Sequence, residues 1–166
     1  MDGETLYVID DHAVLKIPML CELDSLPHVL DELTDMVRLG KLCFPDQIMH
    51  DCAKWATGET IHTWIKAVSG HRHLRKLPSE WQEEVLGLCE DLCDYDDENE
   101  QSPVLVAAMA LMIAREQPSL TLNVVTEDRS SLPTRMCLND ACPALGLTAI
   151  TVRDFLSATK ASRYLV

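Results

Sequence analysis

The chain has 166 residues, of which 47% are hydrophobic, and its formal net charge is −13 at pH 7. We expect a single domain over residues 1–166 with a substantial core, and the hydrophobic content excludes a disordered chain. The longest apolar stretch, residues 104–114, is too short to span a bilayer. Residues 1–11 (MDGETLYVIDD) contain neither a basic region nor a signal-type apolar run. We therefore expect a soluble, cytoplasmic protein with no membrane partner.

The negative charge is unevenly distributed along the chain. Residues 90–100 (EDLCDYDDENE) hold seven acids and no base, which is more than half of the net charge of −13. Because Lys and Arg supply most nucleic-acid affinity by releasing counterions, this balance argues against a broad phosphate-binding surface. The acidic run is interpreted either as a solvated loop or as a docking segment for a basic partner.

The seven cysteines are scattered through apolar segments, and their number is odd. With no export signal, we interpret them as reduced thiols packed in the core. Their spacing does not assemble the four ligands of a structural zinc site.

The first elements form a βαβ unit. Residues 5–10 (TLYVID) are β-branched and aromatic, which predicts a buried parallel strand. Leucine and valine then recur at helical spacing over residues 23–37, and Gly40 is placed to end this helix. Residues 41–44 predict a second short strand, so the crossover between the two strands should be right-handed.

Helices are predicted next. Pro45 is well placed to begin a helix, and residues 60–68 predict a further short one. Residues 71–76 (HRHLRK) form a basic loop. Ser79 is expected to cap the following helix in a capping box.

The last part of the chain returns to strands. Ser102 is predicted as the N-cap of a helix over residues 104–115, which is apolar on nearly every face and should be buried. Residues 120–126 (LTLNVVT) predict a strong strand. The remaining predicted elements are a helix, an edge strand and a closing helix, over residues 135–145, 148–152 and 154–160.

This alternation predicts an α/β fold with three α/β/α layers and a central, mostly parallel sheet of four or five strands. Sites in such sheets form beyond the carboxyl ends of the strands. Asp10 and Asp128 follow two predicted strands, and Asp51 lies beside the apolar stripe of a helix that follows a third. Mg²⁺ or Mn²⁺ usually compensates such clustered carboxylates. Turn or capping roles for Asp10 and Asp128, and a solvated Asp51, are the alternative interpretation.

Four segments resemble the sequence blocks of PIN-domain nucleases. VIDDHAVL is similar to their first strand and its terminal Asp, and GKLCFPDQIMHDCAKW to their strand, proline and acid six residues on. SPVLVAAMALMIA followed by LNVVTED is similar to their buried helix and the strand ending in Thr-x-Asp. GLTAITVRDFL resembles their closing strand and helix. The blocks cover nearly the whole chain in order, and the toxins of bacterial and archaeal toxin–antitoxin pairs are the branch it most resembles.

The resemblance implies a metal-dependent ribonuclease in which Asp10, Asp51 and Asp128 hold Mg²⁺ or Mn²⁺ and water attacks an RNA phosphodiester. It also implies an antitoxin or other protein partner, and family members often form homodimers. The family usually carries an acid where this chain has Ser102, and Glu100 is the nearest substitute as a metal ligand. The chain is therefore interpreted as an enzyme with a partly degenerate site or as a catalytically inactive PIN-fold module that binds RNA or a protein.

Three residues are candidate contacts to RNA. His12 adjoins the proposed metal site and, with Asp11, replaces the small polar pair usual in the family. Arg72 and Arg75 belong to the basic loop, which is predicted either to contact phosphates or simply to be solvated. The tryptophans are predicted to pack in the core or at an interface rather than to stack on bases: Trp55, Trp64 and Trp81.

A third interpretation is a phosphate-handling doubly wound domain of the receiver or phosphatase type. Asp10 and Asp11 after a first strand would suit that chemistry. The chain lacks the lysine expected late in the sequence at a strand end, so this interpretation ranks last.

Overall fold

The computed structural model describes residues 4–166, so residues 1–3 and the part of the N-terminal expectation that rests on them lie outside it. The described chain contains one parallel sheet of four strands in the order β2-β1-β3-β4. The strands are β1 Thr5–Ile9, β2 Leu42–Cys43, β3 Thr121–Val125 and β4 Thr148–Ile150. All four carboxyl ends therefore meet at one edge of the sheet.

Helices flank this sheet and complete the three layers. They are α1 Asp11–Lys16, α2 Leu26–Arg38, α3 Asp46–Trp55, α4 Thr60–Val68, α5 Glu80–Leu88, α6 Ser102–Glu116, α7 Leu138–Ala141 and α8 Val152–Ser157. The predicted α/β fold is confirmed, and the described sheet is wholly parallel. No helix within residues 4–166 has both the length and the apolar character needed to cross a bilayer.

The core is one continuous cluster of buried apolar side chains on and between these elements. Helix α6 is its most apolar member, because every residue from Val104 to Ile113 is buried. This confirms the expectation drawn from its uninterrupted apolar sequence. Helix α6 packs against β1 and β3, so its first turn lies close to the carboxyl edge of the sheet.

The cysteines are free thiols, as predicted. Burial raises the pKa of three of them to about 12: Cys43, Cys52 and Cys142. Thiols that stay protonated in apolar surroundings are poor nucleophiles, so these side chains act as packing groups.

Several predicted boundaries are wrong for local reasons. The helix expected over residues 135–145 is α7 followed by a 3₁₀ turn, Cys142–Leu145. The last strand stops at Ile150 because the Thr151 side chain accepts a hydrogen bond from Asp154 N at 3.0 Å and starts α8. Ser79 has a helical backbone and makes no capping hydrogen bond.

Gly40 ends the segment after α2 in the left-handed region, with φ +74°. A Cβ at this position would lie 2.5 Å from Nδ1 of His73, whose Nε2 is 2.6 Å from the Arg38 carbonyl oxygen. Gly146 has φ +70° and open space around it. We expect Gly146→Ala to destabilise the protein by about 1–2 kcal/mol and Gly40→Ala by about 1–3 kcal/mol more. Urea unfolding of both variants tests this, and equal losses would mean that the His73 ring moves aside freely.

Candidate active site

Asp10 lies between β1 and α1, at the carboxyl edge of the sheet, and is only 2% exposed. Its Oδ1 accepts a hydrogen bond from Ala13 N at 2.7 Å, and its Oδ2 accepts one from the Thr126 hydroxyl. Burial raises the pKa of Asp10 to about 7, although both hydrogen bonds oppose the shift. Asp10 is therefore the N-cap of α1 and joins that helix to the end of β3.

Asp128 follows β3 and is held by two sets of donors. Arg135 donates from Nη1 to Oδ2 at 2.9 Å and from Nη2 to Oδ1 at 3.2 Å. The backbone N of Leu138, the first residue of α7, donates to Oδ2 at 2.8 Å. The expected metal ligand thus forms a bidentate ion pair with most of both side chains buried.

A cleft of about 520 Å³ opens at this edge of the sheet. Neither Asp10 nor Asp128 lines it. Acidic, basic and polar side chains from α1, α3, the acidic run, α6 and the segment between β3 and α7 do: Asp11, His12, Asp51, Glu100, Ser102 and Arg135 are among them. The cleft therefore contains two of the four predicted acids, Asp51 and Glu100, and adds Asp11.

Asp51 enters the cleft from α3 and is half-buried. Its Oδ1 accepts a hydrogen bond from Gln47 Nε2 at 2.9 Å, and its Oδ2 accepts one from the Ser102 hydroxyl. The prediction that Ser102 caps its own helix is wrong, because Gln101 occupies the N-cap position and Ser102 is the first helical residue. Ser102 instead connects α6 to the carboxylate of α3.

Asp11 is the first residue of α1 and is 7% exposed, yet it lines the cleft. Within residues 4–166, no other side chain forms a hydrogen bond or ion pair with its carboxylate. Burial raises the pKa of Asp11, the neighbouring His12 lowers it, and Asp51 raises it further. From the sequence, Asp11 was predicted as a departure from the family motif and as part of an acid pair in a phosphate-handling domain, but not as a metal ligand. Its position directly after Asp10, at the carboxyl end of a predicted strand, was the available signal.

The acidic run forms one wall of the cleft. Gln101 holds it by donating from Nε2 to the Asp94 carbonyl at 2.7 Å and accepting at Oε1 from Asp94 N at 2.9 Å. Asp97 and Glu100 are exposed and face the same cleft. Glu100, the expected substitute ligand, is therefore at the site but on its solvent side.

The expectation of an exposed Arg72 is wrong. Arg72 is 6% exposed and donates from Nε to the Ser69 carbonyl at 2.8 Å and from Nη1 to the Phe44 carbonyl at 2.7 Å. Its Nη2 pairs with Asp46. All three guanidinium nitrogens are therefore bonded within the protein, and the burial of the side chain keeps it from contact with RNA. Arg75 is exposed and lines a smaller pocket of about 270 Å³ that borders the cleft.

The tryptophans divide between the core and the cleft. Trp64 is buried and donates from Nε1 to the Thr34 hydroxyl at 2.9 Å, and Trp81 packs against the core. Trp55, at the end of α3, is 67% exposed and lines the cleft, so it is not a core residue, and its interface role stays a prediction. The Nζ atom of Lys54 lies 5.2 Å from the Trp55 ring centroid.

The structure does not bring the three expected metal ligands into one centre. Asp10 caps α1, and Asp128 forms an ion pair with Arg135. Of the three, only Asp51 lines the cleft. Across the described part of the chain, no three His, Cys, Asp or Glu side chains form a metal-binding group. Among the acids of the cleft, Asp11 and Asp51 lie on the two helices that follow β1 and β2, and two carboxylates can hold a hydrated ion.

Neither models of known protein families nor curated proteins match this sequence. The PIN-domain resemblance therefore rests on the four sequence blocks.

Proposed function

We propose that the protein is a metal-dependent ribonuclease of PIN type that acts at the cleft. One observation carries this proposal: acids from the helices that follow β1 and β2 face a single open cleft at the carboxyl edge of a parallel sheet. These acids are Asp11 and Asp51. Mg²⁺ is commonly held by one or two carboxylates, with waters and substrate phosphates completing its shell.

The chain's own residues would prepare this site. Asp10 fixes the start of α1 and so directs Asp11 and His12 into the cleft. Ser102 and Gln47 hold both carboxylate oxygens of Asp51. The exposed imidazole of His12 is placed to take a proton from water in the cleft. A bound Mg²⁺ or Mn²⁺ would activate water and offset the charge of the reacting phosphoryl group.

The second candidate is a catalytically inactive PIN-fold module that binds RNA or a protein partner such as an antitoxin. The pair between Arg135 and Asp128 favours it, because a fixed guanidinium already neutralises one of the acids that the family resemblance assigns to metal. A toxin–antitoxin role is part of the ribonuclease proposal, and a homodimer is a prediction for either candidate. The net charge of −13 favours a basic protein segment over RNA as the partner.

The test is cleavage of labelled single-stranded RNA of mixed sequence by the full chain, with Mn²⁺ or with EDTA. We expect fragments only with Mn²⁺, and a rate at least about 100-fold lower for Asp51→Asn. The exposed Asp31→Asn on α2 is the matched control and should cut at the native rate. RNA that is bound but uncut would support the inactive binding module. RNA that is neither bound nor cut would overturn both the ribonuclease and the RNA-binding form of the module.

A further inference from the structure

We propose that the small pocket of about 270 Å³ beside the cleft binds a single guanine base of the RNA substrate. The proposal deepens the proposed function and rests on it for the choice of RNA as the ligand. It gives Arg75, which the sequence suggested as a phosphate contact, a role in recognising a base.

The pocket lies next to the candidate active site and shares part of its wall. Gln47, His50 and Glu100 line both the pocket and the cleft. Gln47 donates from Nε2 to Oδ1 of Asp51 at 2.9 Å, so one side chain separates the pocket from an acid of the cleft. A nucleotide whose base occupies the pocket can therefore place a neighbouring phosphate in the cleft.

The floor of the pocket is apolar. Four side chains form it: Pro45, Leu77, Leu105 and Met109. Pro45 and Met109 are buried, and Leu105 is 9% exposed. A planar base can cover such a floor and remove it from water. The volume lies below the range of about 300–1,000 Å³ that is usual for drug-sized ligands, which favours a single ring system over a larger ligand.

The rim of the pocket carries polar groups that the protein leaves unused. Within residues 4–166, the side chains of Arg75, Gln82 and Glu100 form no hydrogen bond or ion pair, and all three line the pocket. Arg75 and Glu100 are exposed, and Gln82 is half-buried. The other carboxylate of the rim, Asp46, is already paired with Arg72. In the described part of the chain, the rim therefore presents a guanidinium, a carboxylate and an amide to a ligand.

Guanine is the base whose edges match this set of groups. Its O6 and N7 atoms accept the paired hydrogen bonds that a guanidinium donates. Its N1–H and its amino group donate side by side to a carboxylate. Adenine has a lone pair at N1, cytosine has one at N3, and uracil has no amino group. We therefore assign Arg75 to the O6 and N7 edge and Glu100 to the N1–H and amino edge, with Gln82 as a further partner.

The charge of the protein favours recognition through a base. With a net charge of −13, the chain has few cations with which to release counterions from RNA phosphates. Apolar contact and hydrogen bonds to a base avoid this limit, and proteins commonly bind the unstacked bases of single-stranded RNA in this way. The pocket therefore supplies a source of affinity that the surface charge does not.

The experiment is calorimetric titration of GMP, AMP, CMP and UMP into the full-length protein in EDTA. All four nucleotides carry the same ribose phosphate, so differences in affinity report the base. We expect GMP to bind at least about 10-fold more tightly than each of the others. Arg75→Met and Glu100→Gln should each lower the affinity for GMP at least about 5-fold and leave that for AMP within about 2-fold.

Two matched variants control for the loss of charge alone. Lys76→Met removes a cation from the same basic loop, and Glu98→Gln removes an anion from the same acidic run. Both residues are exposed, and neither lines the pocket. Each variant should bind all four nucleotides within about 2-fold of the native protein, because exposed charges outside the site are screened by salt. Far-UV circular dichroism confirms that each variant is folded.

Three results would overturn the proposal: no binding of GMP at millimolar concentration, a preference for another base or for none, and a guanine preference that survives both Arg75→Met and Glu100→Gln. The titration uses neither metal nor cleavage, so its failure is distinct from failure of the ribonuclease. A guanine preference without Mn²⁺-dependent cleavage would keep the pocket and remove the ribonuclease. Cleavage that is indifferent to the bases would keep the ribonuclease and remove the pocket.

Discussion

Asp10→Asn is expected to raise the free energy of unfolding by about 2–4 kcal/mol at pH 8, measured without divalent cations. The native carboxylate is almost completely buried, and burial raises its pKa to about 7 from the reference value of 3.8. At pH 8 the folded protein must hold an ionised group that it solvates poorly. Asparagine carries no charge, keeps an oxygen for Ala13 N, and can donate its amide to the Thr126 hydroxyl oxygen.

The pH dependence of the native protein follows from the same shift. Between pH 4 and 7 the folded state holds the Asp10 proton that the unfolded state has released, so its stability falls as pH rises. The expected loss is on the order of 4 kcal/mol across that window. Asp11 contributes with the same sign, because burial raises its pKa too. Below pH 4 both states are protonated at Asp10, and Asp10→Asn should change little.

Urea unfolding of native protein and Asp10→Asn at pH 4, 6 and 8 measures this difference. The stability gain of the variant should grow with pH and be nearly absent at pH 4. Asp31→Asn on the exposed face of α2 is the control and should follow the native curve. Parallel curves for native protein and Asp10→Asn would show that Asp10 is ionised at no cost in the folded state.

The sheet and the buried helix were predictable because their side-chain patterns are repetitive. The β-branched and aromatic run TLYVI predicts a strand from its own composition. The apolar sequence of α6 predicts burial on all sides of the helix. The three-layer arrangement then follows from alternating strands and helices. Boundaries were less predictable where one hydroxyl decides them, as Thr151 does by capping α8.

The edge of the sheet where the cleft opens was also predictable, but the contacts of each acid there were not. Asp10, Asp51 and Asp128 were expected to act alike because two follow strands and the third lies on a helix after a strand, all toward the same edge of the sheet. Their roles differ through single long-range contacts: the Thr126 hydroxyl to Asp10, the Ser102 hydroxyl to Asp51, and the Arg135 guanidinium to Asp128. A hydrogen bond or ion pair between two side chains that are distant in sequence, or separated by a loop, produces no periodic pattern in the sequence.

Arg72 is another such case, and it leads to the second large prediction. Arg72→Met should lower the free energy of unfolding by about 3–5 kcal/mol. Methionine replaces the apolar stem but leaves the buried Phe44 carbonyl without its donor and removes the guanidinium 4.8 Å from the Phe44 ring. Arg72→Lys should recover only part of this loss, because an ammonium group cannot reproduce a planar fork of donors.

Two further variants separate this structural role from contact with RNA. Arg75→Met changes an exposed arginine of the same basic loop and should shift stability by less than about 0.5 kcal/mol. Asp46→Asn should also cost little, since the Asp46 side chain is 64% exposed and the carbonyl bonds of Arg72 remain. Denaturant unfolding of the four variants measures these differences.

If Arg72→Met instead kept native stability and weakened RNA binding, the guanidinium would have to leave its buried position in solution. The three bonds to Phe44, Ser69 and Asp46 argue against that movement, because each would have to be replaced by water at a site that is 94% buried.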